Sequence, residues 1–197
     1  MVFVKDQTQY LSLSWQQLQN HMFEISLLIN QQAIKLDRII TLAKGGWPMT
    51  RSLVDLLGVK EVASIGVKFY CGINQRCEKP IIYQQLPIDI IGEKILLFDD
   101  VADTGESLLF VKDYLHSMGI EDITTATIFY KSHSKIKPDF YAKQTSDWII
   151  FPYEVRETIN LLAPKWKDAG ISDSQIKQRF LEFGFDEKQV EWFMKLQ

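Results

Sequence analysis

The chain has 197 residues, 46% of them hydrophobic and 24% charged, which suits one sizeable globular core with an appendage. A net charge of −3 and an isoelectric point near 5.7 give no basic footprint for nucleic acid, so no polynucleotide partner is expected. No run approaches the roughly 20 apolar residues that span a bilayer, and the first residues lack a signal peptide's basic-then-apolar order, so no membrane association and a cytoplasmic location are expected.

In chain order, Ser14 with Gln17 resembles a capping box, and Trp15, Leu18, Met22, Ile25 and Ile29 follow at helical spacing. His21, beside that stripe, reads as a surface residue. Ile39 to Ala43 read as a strand, Lys44-Gly45-Gly46 breaks the pattern, and Met49, Leu53, Leu56 and Leu57 begin a helix. Val62 to Tyr70 read as a strand, Gly72 to Pro80 as a polar loop, and Ile81 to Leu86 as a short extended piece. Cys71 and Cys77 lie in that polar stretch at a spacing that fits no familiar zinc pattern, so two free thiols are expected. Ile95 to Phe98 form an apolar strand, Leu108, Leu109, Val111 and Leu115 a helical stripe, and Ile123 to Tyr130 a further strand. Strands alternating with helices give an α/β protein, a mostly parallel twisted sheet flanked by helices. From residue 156 onward Trp166, Phe180, Phe183, Phe185, Trp192 and Phe193 exclude a disordered tail. Gly170 before Ser172-Asp173-Ser174-Gln175 and Gly184 before Asp186-Glu187-Lys188-Gln189 look like helix starts. So short a helical unit has little core of its own, so its apolar faces are expected to bury against the main domain, another subunit or a partner, with docking in a homo-oligomer favoured over a separate protein.

The stretch with the most chemistry is Ile95 to Ser107, where four carboxylates, two hydroxyls and a glycine follow an apolar strand. Ligands of open α/β sheets bind at the carboxyl ends of strands, and a helix N-terminus there offers unpaired N–H groups to a phosphate. Thr104 and Ser107 add hydroxyls, while Asp99 and Asp100 suit sugar hydroxyls or a magnesium ion. The loop therefore suits a sugar phosphate. Asp99, Asp100, Val101, Ala102, Asp103, Thr104, Gly105, Glu106 and Ser107 resemble the signature of the phosphoribosyltransferases: two acidic residues, two apolar or small ones, then Asp-Thr-Gly and a hydroxyl residue. Glu106 departs from the family's usual neutral or basic residue and is expected to point to solvent.

The resemblance, which covers about residues 10 to 155, carries the remaining expectations. It implies the type I phosphoribosyltransferase fold with a small hood, in a domain over residues 1–155, while the residues beyond it read as a C-terminal helical extension over 156–197. It implies that Lys44 and Gly45, in Ala43-Lys44-Gly45-Gly46, bind pyrophosphate, often beside a cis peptide at Ala43–Lys44. Lys131 and Asp147-Trp148-Ile149 resemble the base site and hood of the purine branch, giving Lys131 to a 6-oxopurine oxygen and Trp148 with Ile149 to the ring. Arg76 or Lys79 would serve a closing lid. Magnesium would be held by Asp100 and Asp99, and phosphoribosyl pyrophosphate and a purine base would be the small-molecule partners.

The implied reaction is transfer of phosphoribosyl to guanine, xanthine or hypoxanthine, with Asp103 as acid/base and pyrophosphate leaving. His116, late on its helix, and His133, in a polar turn, make poor catalytic candidates. The alternative is a non-catalytic regulator of the same fold that senses phosphoribosyl pyrophosphate or nucleotides.

Overall fold

A computed structural model describes residues 1–70 and 79–196. The chain forms two compact units, one of residues 19–146 and one of residues 1–18 with 147–197.

In the larger unit a six-stranded sheet runs in the order β4-β3-β2-β5-β6-β7. Its strands are β2 (Arg38–Ala43), β3 (Glu61–Tyr70), β4 (Lys79–Gln84), β5 (Ile95–Ala102), β6 (Ile123–Tyr130) and β7 (Phe140–Gln144). All neighbours are parallel except β3 and β4. Every residue of β2 is buried, as a central strand covered on both faces requires. Ile40, Leu42, Ile65 and Leu97 pack with Leu108, Val111 and Leu115 of α3 (Glu106–Ser117), while the alternating Ile39, Leu96 and Phe98 are equally buried. The second helix, α2 (Trp47–Leu57), starts with Pro48 in its first turn and stops at Gly58, whose φ of 66° suits a left-handed cap.

Helix α1 (Trp15–Gln31) has the expected capping box: Gln17 N–H donates to Ser14 Oγ at 3.2 Å, and Ser14 N–H to Gln17 Oε1 at 2.8 Å. His21 is not the plain surface residue anticipated. Its ring stands edge-on to Phe129 with centroids 5.4 Å apart, and its side chain is only 20% exposed. Leu18, Met22 and Ile25 are fully buried, and His21 lies at the border of that buried stripe.

Two further boundaries differ from the sequence reading. The strand β5 continues past Phe98 through the acidic pair, with Asp99 opposite Thr127 and Val101 opposite Phe129. Lys79 and Pro80, placed in the polar loop, open β4, whose edge position leaves the proline without a ladder bond to donate. No apolar run announces β7, Phe-Tyr-Ala-Lys-Gln, because it is a half-exposed edge strand.

The smaller unit pairs β1 (Tyr10–Ser12) in parallel with β8 (Trp148–Ile150) and adds α4 (Val155–Asp168), α5 (Asp173–Glu182) and α6 (Glu187–Lys195). Both predicted helix starts are capped. Ser172 and Gln175 form a full capping box, and Asp186 accepts from Gln189 N–H at 3.1 Å. As expected for so short a helical unit, its apolar faces bury against residues from outside it. Tyr10 and Ile150 join Ile159, Leu162, Trp166, Ile176, Phe180, Phe183 and Val190 in one buried cluster, with Phe3 against it. At its centre the Asp6 carboxylate accepts from Tyr10 Oη and Trp166 Nε1, each at 2.6 Å, and from Thr8 N–H at 3.0 Å. The missing core surface is supplied by residues far away in sequence, which no local pattern announces.

Candidate functional site

From β2 the chain moves outward to β3 and β4, and from β5 it moves the other way to β6 and β7. The loops leaving the carboxyl ends of β2 and β5 therefore diverge, which is the switch point where open α/β sheets bind ligands. Both sequence-predicted phosphate segments leave from these two strands.

After β2, the peptide between Ala43 and Lys44 is cis and Lys44 is exposed. The turn and the acidic pair meet at Gly45. A Cβ built there would lie 2.7 Å from both carboxylate oxygens of Asp100, closer than real Cβ contacts allow. A side chain is excluded because the Asp100 carboxylate stands directly against the turn. At Gly46 a Cβ would meet Thr41 Oγ1 and, at 3.0 Å, the carbonyl oxygen of Phe98, so the second glycine lets the turn close over β2 and β5.

Asp100 is buried and Asp99 half-buried. Burial and the adjacent Asp100 carboxylate push the Asp99 carboxyl well above the usual carboxylate range, although the N–H groups of Asp100 and Gly46 favour its ionised form. Asp100 N–H donates to Asp99 Oδ1 at 3.0 Å. Two acidic groups that disfavour each other's charge form a site that a divalent cation would relieve.

The loop after β5 carries Asp103 and Thr104 into solvent, and Gly105, with φ of 74°, turns the chain into α3. Glu106 N–H donates to Thr104 Oγ1 at 3.3 Å, so the threonine hydroxyl already lies over the helix N-terminus, with Ser107 one residue further on. Val101 and Ala102 are the last two strand residues before this turn.

A segment from the β6–β7 loop lies against the same turn. Lys131 N–H donates to Ala102 O at 3.1 Å, and its ammonium reaches Ser146 O at 3.5 Å. His133, set aside on sequence grounds, has Nε2 at 3.1 Å from Asp103 Oδ1. Lys135 Nζ lies 2.5 Å from Glu106 Oε1, so Glu106 does not simply face solvent. Both contacts escaped sequence reasoning because His133 and Lys135 carry no motif. The only available signal was their position just after Lys131, in the loop that leaves the strand next to β5. His116 has a structural use: its Nδ1 meets Ile120 O at 2.8 Å where α3 ends.

Trp148 and Ile149 lie on β8 of the smaller unit, with Trp148 49% exposed and Ile149 half-buried. Arg76, Cys71 and Cys77 fall outside the described residues, and Lys79 opens β4. Among the described residues no helix is long and apolar enough to cross a membrane, and no three or more His, Cys, Asp or Glu side chains gather as metal ligands.

Known proteins resemble this chain in sequence and in fold. The xanthine-guanine phosphoribosyltransferase of Gluconobacter oxydans is 22% identical over 147 residues, 74% of this chain and 84% of that protein. The crystal structure of a purine phosphoribosyltransferase from Pyrococcus horikoshii superimposes with a TM-score of 0.67 at 31% identity, over 74% of this chain and 94% of that one. The xanthine-guanine-hypoxanthine phosphoribosyltransferase of Helicobacter pylori shares the fold, with a TM-score of 0.65 at 24% identity over 78% of this chain and 99% of that one. The phosphoribosyl transferase domain matches residues 14–158, which takes in both divergent loops, the acidic turn and the β6–β7 segment. With its mostly parallel sheet of the type I phosphoribosyltransferase fold, this chain belongs to the phosphoribosyl transferase domain family.

Proposed function

We propose that the protein is a purine-salvage enzyme that transfers phosphoribosyl from phosphoribosyl pyrophosphate, with magnesium, to a 6-oxopurine, giving the nucleoside monophosphate and pyrophosphate. The observation that carries this reading is the contact of the Gly45 turn with the Asp100 carboxylate. It sets a segment suited to pyrophosphate directly beside one suited to ribose hydroxyls and a cation. The purine phosphoribosyltransferase of Pyrococcus horikoshii, at 31% identity, supports the choice of a purine.

In this reading a purine ring nitrogen forms the new bond to C1 of the ribose as the bond from C1 to the pyrophosphate oxygen breaks. Positive charge develops on the ribose and negative charge on the leaving group. Asp99 and Asp100 hold the ribose hydroxyls and the cation. Two adjacent carboxylates fit magnesium, which commonly takes one or two carboxylates and shares the rest of its coordination with phosphate and water. Bound there, magnesium supplies neutralising charge for the departing pyrophosphate. Lys44 and the N–H groups of its turn stabilise the same oxygens. Thr104, Gly105 and Ser107, at the N-terminus of α3, hold the 5′-phosphate. Asp103 exchanges a proton with the purine at N7. Lys131 donates to the 6-oxo group, and Trp148 and Ile149 keep the base-platform role that the family resemblance implies.

Pyrophosphate release, measured with guanine, xanthine, hypoxanthine and adenine in turn, tests the assignment. At least one 6-oxopurine is expected to be turned over. Adenine, which presents an amino donor to a lysine that can only donate, is expected to be at least about tenfold poorer. Comparable efficiency on adenine, or turnover of a pyrimidine alone, overturns the base assignment. Binding of phosphoribosyl pyrophosphate without turnover of any base would instead identify the sensing regulator.

A further inference from the structure

Glu106 is the one residue of the acidic turn that phosphate binding leaves unexplained. It opens α3 one position after Gly105, where the unpaired N–H groups and the helix dipole favour an anion. A carboxylate at that point repels a substrate phosphate seeking the same groups. The β6–β7 loop answers it with a cation, Lys135 Nζ, 2.5 Å from Glu106 Oε1.

That cation is held in place by the backbone as well as by charge. Lys135 N–H donates to Thr104 O at 2.8 Å. Ser134 Oγ occupies the space that a Cβ on Gly105 would need, and it donates to Ile136 O at 2.9 Å. Further along, the Asp139 carboxylate fastens the segment to β6, accepting from Thr125 N–H and Thr125 Oγ1, each at 2.7 Å. His133, two residues before Lys135, meets Asp103, so Asp103 and Glu106 each face a basic side chain from this segment. Fold stability does not account for the pair, because Lys135 is 61% exposed and so exposed an ion pair contributes little to folding.

We propose that Lys135 is the counterion of the phosphate loop: by cancelling the Glu106 carboxylate it lets the N-terminus of α3 accept a phosphate dianion, and it thereby sets the affinity for the 5′-phosphate end of the substrate. This rests on the phosphoribosyl reading of the site. Lys135 acts through Glu106 and is a positioning residue.

The test is calorimetry of the full chain with two separate probes, ribose 5-phosphate for the α3 end and inorganic pyrophosphate for the Lys44 turn. Lys135→Met is expected to weaken ribose 5-phosphate by about 5- to 10-fold, the factor by which one uncompensated carboxylate disfavours a dianion ~8 Å away in a water-like medium. Lys135→Arg should bind as the parent does, and the Lys135→Met defect should shrink in 0.5 M salt, roughly as screening predicts. The double variant Glu106→Gln with Lys135→Met should return to within about threefold of the parent, because the charge that needed cancelling is gone. Pyrophosphate affinity should be the same in all four proteins. An unchanged Lys135→Met affinity overturns the proposal. So does a double variant as weak as the single one, which would make Lys135 a direct phosphate ligand, and so does parallel loss of pyrophosphate binding, which would mean a collapsed loop. A parent that binds neither probe overturns the phosphoribosyl reading itself.

Discussion

Replacing Asp6 by alanine should destabilise the smaller unit severely. The Asp6 side chain is only 2% exposed and accepts from the Tyr10 hydroxyl, the Trp166 indole N–H, the Thr8 N–H and, at 3.2 Å, the Lys165 ammonium. Tyr10 and Trp166 are themselves buried, so alanine leaves two buried donors without an acceptor, at about 1–3 kcal/mol each. The half-exposed Lys165 adds little, and the total is about 2–6 kcal/mol. Urea unfolding followed by tryptophan fluorescence reads it, because Trp166 moves from a fully buried site into water. Asp6→Asn, which keeps a carbonyl acceptor, should cost less. The pH dependence has a definite sign. Burial pushes the Asp6 carboxyl up, yet hydrogen bonds from Trp166, Tyr10 and Thr8 hold it well below the usual carboxylate range. Its folded value therefore lies below the unfolded value of about 3.9. The stabilisation is fully present above that value and fades as pH falls beneath it. The gap between parent and Asp6→Asn should be constant above about pH 5 and narrow below about pH 4. An Asp6→Ala protein within about 0.5 kcal/mol of the parent at pH 7 would refute the argument, since a surface substitution costs no more.

Further predictions concern the site. Asp103→Asn should lower turnover by about 10²- to 10⁴-fold while leaving the affinity for phosphoribosyl pyrophosphate nearly unchanged, as single-turnover kinetics and calorimetry can check. Gly45→Ala should displace the Lys44 turn or the Asp100 carboxylate, because the new methyl cannot stay 2.7 Å from both oxygens. A shift of that kind should lower kcat/KM by about 100-fold with little change in melting temperature, and a fully active variant would dissociate the turn from the acidic pair. Lys131→Met should erode the preference for 6-oxopurines over adenine in the pyrophosphate-release assay, whereas unchanged discrimination would move the base site elsewhere.

The parts of this protein that could be read from its sequence are those that repeat a local physical rule. The largely apolar run at Ile39 to Ala43 and the continuous one at Ile95 to Phe98 mark strands buried on both faces, and the Ser14/Gln17 and Ser172/Gln175 pairs mark helix starts. The edge strand β7 and the three-residue strands β1 and β8 have no such mark, because half-exposed or very short strands need no apolar run. The same division holds in the site. Asp99 through Ser107 could be nominated from their order, and the Lys44 turn from its resemblance to the family's loop and its place upstream of the acidic pair. His133 and Lys135 did not, since a surface histidine and lysine become partners of Asp103 and Glu106 only once β6 lies beside β5. The aromatic C-terminal residues were legible as ordered and in need of burial, but not the Tyr10 and Asp6 that complete their core from more than 150 residues away.

The parallel pairing of β1 with β8 has a consequence for how the chain matures on the ribosome. Strands β2 to β7 are all present once Gln144 has been made. Tyr10 must wait for Trp148, and Asp6 waits 160 residues for the Trp166 indole. At about 5–20 residues per second that wait is roughly 10–30 s, during which Phe3 and Tyr10 have no core to enter. The acidic turn thus exists well before the exposed Trp148 has the unit that carries it. Nascent chains arrested with Gln144 just clear of the ribosomal exit tunnel should therefore capture a phosphate ligand while still presenting their first aromatic residues to chaperones.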